Sequence, residues 1–212
     1  RGTSIEFADY RDYTRGDDLR RVDWNVFARL ERPFIKLLEE EEDLAVHVLV
    51  DASRSMECGS GLQHKFDYAR RLAAALGYIA LAAGDRLTVA LLRDAAPAAQ
   101  FGPTRGRGQA VRLLRFLDAQ TPAGATALSE ALRAYARAAR RPGLVFLISD
   151  LFAPDGYEAG LAQLQGRGYE VNLVHVLAPE EVDPPLAGDL RLIDSETGAP
   201  QDVTLDGGLR DL

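Results

Sequence analysis

A single cysteine, Cys58, is all that the chain contains. No internal disulfide framework can form, and cysteine alone cannot build a thiolate zinc site. That usage points to a reducing compartment, and the expected location is cytoplasmic. Nowhere do the roughly 20 uninterrupted apolar residues of a membrane-spanning helix occur, and no signal peptide is visible. The chain opens on Arg1 rather than methionine, which leaves room for an upstream segment; membrane association is expected only through such a segment. Catalytic signatures are scarce as well. There is no Gly-x-Ser-x-Gly elbow, and His47 and His175 fall inside strand patterns where packing is the usual role. Gly106-Arg107-Gly108 lacks both the third glycine of a dinucleotide fingerprint and the lysine and serine of a phosphate loop, so it reads as a plain loop.

Charge is abundant but divided. Residues 64–141 hold 13 basic and 5 acidic side chains, a balance of +8, whereas residues 142–212 hold 3 and 13, a balance of −10, within a net charge of −7. Aromatics do not interleave with the arginines of the basic block, which lie on helix-like segments. The block reads as a solvated face, and no nucleic-acid partner is expected. What is present is ordinary globular material: 212 residues, 47% hydrophobic and 27% charged, enough for one large core with a small appendage.

Residues 1–16 have no helical period and read as an extended arm. Gly16-Asp17-Asp18 starts a helix expected over 18–30, with Leu19, Val22, Val26, Phe27 and Leu30 on one face. Trp24 is expected to be a packing anchor for this arm. Pro33 ends the helix, and Phe34 to Leu38 forms a strand leading into the acidic run 39–43, read as a solvated turn because adjacent side chains diverge. The nearly all-apolar stretch 44–50 is a buried strand. A helix over 62–83 stopped by Gly84, a strand at 86–92, a short third strand near 98–101 and helices near 109–118 and 127–140 follow. Leu144 to Ile148 is the clearest buried strand. A helix near 156–166, a strand at 170–177 and two edge strands at 190–194 and 202–205 complete the pattern. Strands alternating with helices of this length give an α/β fold: an open, mostly parallel sheet with helices on both faces. Ligands collect outside the carboxyl ends of such strands.

Two strands end in aspartate at that edge. The first runs into Asp51, followed at alternate positions by Ser53 and Ser55; the last residues of the second are Ser149 and Asp150. Thr126, after a Gly-Ala turn at a helix start, offers a third hydroxyl. Carboxylates and hydroxyls are hard oxygen donors suited to Mg²⁺, and two carboxylates held together repel unless a positive charge sits between them. A cation held by Asp51, Ser53, Ser55 and Thr126, with Asp150 direct or through water, would relieve that repulsion and keep an open position.

In this order and on these elements, Asp51, Ser53, Ser55, Thr126 and Asp150 resemble the metal-ion-dependent adhesion site of von Willebrand factor A domains. The arm strengthens the resemblance. Glu6, Phe7, Arg11, Tyr13, Gly16, Asp17, Asp18, Arg20, Val22, Asp23, Trp24, Ala28 and Arg29 resemble the signature of the bacterial domain-of-unknown-function-58 family, whose members carry it directly before an A-type domain. One departure is Ala125, where many A domains have glycine before the site threonine. The resemblance implies a three-layer, Rossmann-like A-type domain over 44–180, preceded by the arm over 1–43 and followed by an acidic extension over 181–212 packed on the same domain. It further implies a non-enzymatic protein-interaction module holding Mg²⁺, Ca²⁺ or Mn²⁺. The open metal position would accept a carboxylate from a protein partner, and a MoxR-type AAA+ ATPase is the partner class the family suggests. The arm's charged residues are expected to pair with one another and to brace the A domain.

Two other readings stay open. Asp51 at a strand end resembles the phosphoryl-accepting aspartate of a haloacid-dehalogenase-like enzyme, but the acid/base aspartate expected two residues later is Ser53. Alternatively, the serines and aspartates are loop caps of a metal-free scaffold.

Overall fold

The structure, a computed structural model, describes residues 5–40, 44–59, 61, 64–125, 127–139, 141–183, 188–194 and 198–205. The chain divides into two compact units, residues 1–43 and 44–212.

In the first unit, strand β1 (Ile5–Asp12) pairs antiparallel with β2 (Phe34–Glu40), placing Arg11 opposite Ile35 and Asp12 opposite Phe34. Between them lie one turn of 3-10 helix, Leu19–Arg21, and helix α1 (Trp24–Leu30). The expected single helix over 18–30 is therefore broken, and two aspartates break it. Asp18 accepts from Arg20 N, and the Asp23 carboxylate accepts from Asn25 N and Val26 N. Each holds its own backbone extended, as an N-cap must. Val22, between the two caps, bridges Ile35 instead and is buried with it.

The second unit is built on a five-stranded sheet in the order β5-β4-β3-β6-β7. Strands β3 (Ala45–Asp51), β4 (Arg86–Arg93), β6 (Leu144–Ser149) and β7 (Glu170–His175) are parallel, and β5 (Ala96–Thr104) runs antiparallel on the edge beside β4. All seven residues of β3 are buried, as its unbroken apolar run requires of a strand covered on both faces. Val46, Val48 and Val50 pack on one face with Phe66, Ala69 and Ala73 of α2 (Lys65–Ala83) and Leu113 and Leu117 of α3 (Ala110–Asp118). Leu49 points to the other face, among Leu132 and Tyr135 of α4 (Leu128–Ala138) and Leu164 of α5 (Glu158–Gln165). Burying each such leucine stabilises the fold by about 1.5–3 kcal/mol.

Helix α2 opens at Lys65, where His64 Nδ1 accepts from Asp67 N at 3.4 Å, and ends on Gly84 at φ 88°, a left-handed cap that costs glycine little. The expected short strand at 98–101 is a nine-residue edge strand. Its prolines, Pro97 and Pro103, read locally as breakers but are tolerated where one side of the strand is unpaired. The expected edge strands near the end do not join the main sheet: β8 (Gly188–Ile193) and β9 (Pro200–Leu205) pair with each other as a separate two-stranded sheet.

From β3 the chain runs outward to β4 and β5, then returns to the opposite side of β3 for β6 and β7. The crevice between the carboxyl ends of β3 and β6 is thus the point where strand order reverses, the position where such sheets gather ligands.

Candidate functional site

At that crevice β3 ends in Asp51 and its parallel neighbour β6 in Ser149, with Asp150 next. Asp51 Oδ1 accepts from the Ser53 amide at 3.0 Å and the Ser53 hydroxyl at 2.6 Å, and Oδ2 accepts from the Ser149 hydroxyl at 2.6 Å. Ser53 Oγ lies 3.0 Å from Ser55 Oγ, which one 3-10 turn, Arg54–Met56, brings back toward the strand end. Met56 is fully buried and anchors that turn.

The loop before Thr126 is tied to the same turn. Ala123 N donates to Ala52 O, Arg54 N donates to Gly124 O, and Ala125 N donates to Asp94 Oδ1. Gly124 sits at φ 78°, and a Cβ there would lie 2.8 Å from Asp94 Oδ1, so any other residue is strained there. Thr126 itself lies outside the described residues.

Asp150 is fully buried, yet it does not face Asp51 across an empty gap. Its Oδ2 accepts from Lys65 Nζ at 2.7 Å and its Oδ1 from Phe152 N at 3.1 Å. Lys65, the first residue of α2, also bonds Glu181 Oε1 at 2.6 Å, and its ammonium lies 5.3 Å from the Phe152 ring centroid. Glu181 belongs to the short helix α6 (Pro179–Val182), and its Oε2 accepts from Ala178 N. Burial alone would pull the Lys65 ammonium down; its bonds to Asp150 and Glu181 overcome this and hold it above the ordinary lysine range. A positive charge of the chain's own, the Lys65 ammonium, already pairs with Asp150.

Asp51 has no such relief. Its oxygens meet only hydroxyls and an amide, and among the described residues no ion pair reaches it. Burial, helped by the nearby Asp150 charge, pushes its carboxyl above the usual range, against the pull of the Ser149 and Ser53 bonds. A buried carboxylate without a counter-charge, beside two convergent hydroxyls, is the donor set into which a small hard cation fits. Among the described residues no group of three or more His, Cys, Asp and Glu assembles that could hold a metal, so any cation here would lean on the serine hydroxyls.

Three contributors to this crevice, Lys65, Glu181 and Ser149, lie outside the residues that the sequence motif marks. Ser149 precedes the strand-end aspartate and could have been found by its position. Lys65 stands out only as a cation on a face otherwise formed by Phe66, Ala69 and Ala73, and Glu181 lies 116 residues from its partner and carries no local signal. Of the three histidines, none reaches the serines. His47 Nδ1 is 2.7 Å from Tyr135 Oη in the core, His64 caps α2, and His175 Nε2 is 3.0 Å from Asp150 O.

In the arm, charged residues do pair with one another. Arg11 Nη2 donates to Asp17 Oδ1 at 2.8 Å, while Asp17 Oδ2 accepts from the amide and hydroxyl of Thr14. The Arg11 bond first, then those of Thr14, hold the Asp17 carboxyl well below the usual range. Tyr10 Oη donates to Asp23 Oδ2 at 3.0 Å, and Tyr13 N donates to Pro33 O. Gly16 takes a positive φ, Asp18 caps the 3-10 turn, and Arg20 and Arg29 are exposed. Nothing is described for the side chains of Glu6 and Phe7. Trp24, expected to anchor the arm by packing, meets Phe27 edge to face and is 60% exposed.

Residues 9–211 match the family described as protein of unknown function DUF58. The chain belongs to that family. An uncharacterised protein of Mycobacterium bovis is 33% identical over 99% of this chain and 67% of its own length, and one of Mycobacterium tuberculosis matches to the same extent. An uncharacterised protein of Mycobacterium avium is 36% identical over 50% of this chain and 64% of its own. Proximal thread matrix protein 1 of the mussel byssus superposes on 62% of this chain and 37% of its own, with 15% identity and a TM-score of 0.45, a likeness too slight to carry an argument. Among the described residues of this DUF58 chain, no helix is long and apolar enough to cross a membrane.

Proposed function

We propose that the unit over 44–212 is a non-enzymatic protein-interaction module of the von Willebrand factor A type, dependent on a divalent cation held as in a metal-ion-dependent adhesion site. The observation that carries this reading is Asp51: a carboxylate buried at the strand-order switch point, bonded to Ser53, which in turn meets Ser55, and with no ion pair among the described residues. Mg²⁺, Mn²⁺ or Ca²⁺ would be held by Asp51, Ser53 and Ser55, with Thr126 as a further hydroxyl. The cation supplies a Lewis-acidic position for a carboxylate of a partner protein; Asp51 supplies its charge compensation and the serines its orientation. An AAA+ ATPase of the MoxR type is the partner class that the resemblance suggests.

The geometry supports binding over turnover. Both oxygens of Asp51 are engaged by hydrogen bonds, and the position two residues on, where a haloacid-dehalogenase-like enzyme places its acid/base aspartate, is Ser53, which donates to Asp51. One observation favours the metal-free scaffold instead: Lys65 already compensates Asp150. The two readings separate in a capture experiment. Immobilised wild type should retain a partner in Mg²⁺ and release it with chelator, and Asp51→Ala should retain none. Equal retention under all three conditions contradicts the metal-dependent reading.

A further inference from the structure

We propose that the Lys65 ammonium is the resident cation of this site. It holds Asp150 and Glu181 in its own ion pairs, withholds Asp150 from direct ligation, and leaves a divalent cation to Asp51 and the serines. The inference rests on the metal reading above and assigns a role within it to a residue that the site motif does not include.

Three observations carry it. First, the Lys65 and Asp150 side chains have no solvent exposure, and Glu181 is 18% exposed. An ammonium is taken out of water only when its partners are close and its hydrogen bonds are made. Lys65 meets both conditions, with carboxylate oxygens at 2.7 and 2.6 Å. Second, both Asp150 oxygens are used, by Lys65 and by the Phe152 amide, whereas among the described residues Asp51 meets only neutral donors. The two aspartates, alike in sequence context, are thus unlike in electrostatics: one is paired and the other waits for charge. Third, when all are ionised, the three carboxylates and one ammonium leave two negative charges in excess, the charge of one divalent cation.

Two consequences follow. A fixed ammonium beside the crevice repels an incoming cation, so Lys65 weakens divalent binding and keeps it reversible. The same ammonium ties α6 to the site through Glu181, whose second oxygen caps the Ala178 amide.

The test is Mn²⁺ titration of the full chain by calorimetry, with Mn²⁺-dependent thermal melts, on wild type, Lys65→Met, Lys65→Arg and Glu181→Gln. Lys65→Met should bind Mn²⁺ at least about tenfold tighter than wild type, since repulsion is lost and Asp150 is freed as a ligand. Lys65→Arg should stay close to wild type, and Glu181→Gln should bind more weakly because one negative charge is gone. Lys65→Met binding no tighter than wild type overturns the proposal. If Lys65→Met does not fold alone, Mn²⁺ should restore its cooperative melt, and a chain still unfolded with Mn²⁺ present overturns the proposal equally. The wild-type titration separately tests the metal reading: a silent wild type beside a responsive Lys65→Met contradicts metal use by the natural chain and leaves the role of Lys65 intact.

Discussion

Ser149 donates its hydroxyl to Asp51 Oδ2 at 2.6 Å, joining the ends of β6 and β3 across 98 residues of chain. The Ser149 oxygen in turn accepts from Leu151 N at 3.0 Å, so one side chain fixes both the carboxylate and the loop that carries Asp150. Ser149→Ala leaves a buried carboxylate oxygen unpaired and should cost about 1–3 kcal/mol in urea unfolding. In Asp51→Ala/Ser149→Ala the loss should be smaller than the sum of the single losses, since both variants remove one bond. Additive losses would show that the two residues act apart.

Gly124 holds the loop before Thr126 against the Asp51 turn from a left-handed backbone. Gly124→Ala should cost about 1–2 kcal/mol from the backbone alone and more from the approach to Asp94 Oδ1. Denaturant unfolding measures it; an unchanged midpoint would mean that the loop is free to relax.

His47 lies in the core, its Nδ1 bonded to Tyr135 Oη and its ring edge to face with Tyr135 and Tyr169. Burial lowers its pKa, only partly opposed by the Arg141 backbone. A histidine kept neutral by folding gives stability that is full above the unfolded pKa of about 6.5 and is lost as pH falls, because the unfolded chain takes up the proton first. Unfolding free energy should therefore decline from about pH 7 to about pH 5 by at most about 1.4 kcal/mol per pH unit from this group. His47→Gln should flatten that decline. An equal slope in the variant contradicts the assignment.

Asp23 caps α1 and accepts from Tyr10 across the arm. Asp23→Ala should cost the arm about 0.5–2 kcal/mol, seen as faster amide exchange at Asn25 and Val26. Unchanged exchange at both amides would show that the cap contributes nothing.

The parts legible in the sequence are those whose signal is local. The apolar runs 44–50 and 144–148 read as buried strands, as Ala45–Asp51 and Leu144–Ser149 are, and their terminal aspartates follow by position. The break before α1 is hard to see in the sequence because the period-matching face from Leu19 to Leu30 masks two aspartates that each cap the residues after them. β5 is longer than its apolar stretch suggests because Pro97 and Pro103, which would break a central strand, suit an edge. The paired state of Asp150 was illegible for a different reason. It depends on a lysine 85 residues earlier and a glutamate 31 residues later, brought together only when α2 and α6 meet the end of β6.

The proposed function requires that Asp51 bind a divalent cation. Thermal melting of wild type and Asp51→Ala, each with Mg²⁺ and with chelator, tests it most directly. Wild type should melt several degrees higher with Mg²⁺ near a hundredfold excess over its dissociation constant, since such binding adds about 2.7 kcal/mol to the folded state. Asp51→Ala should melt at one temperature in both. A wild-type melt that ignores Mg²⁺, or a shift that survives in Asp51→Ala, contradicts the account.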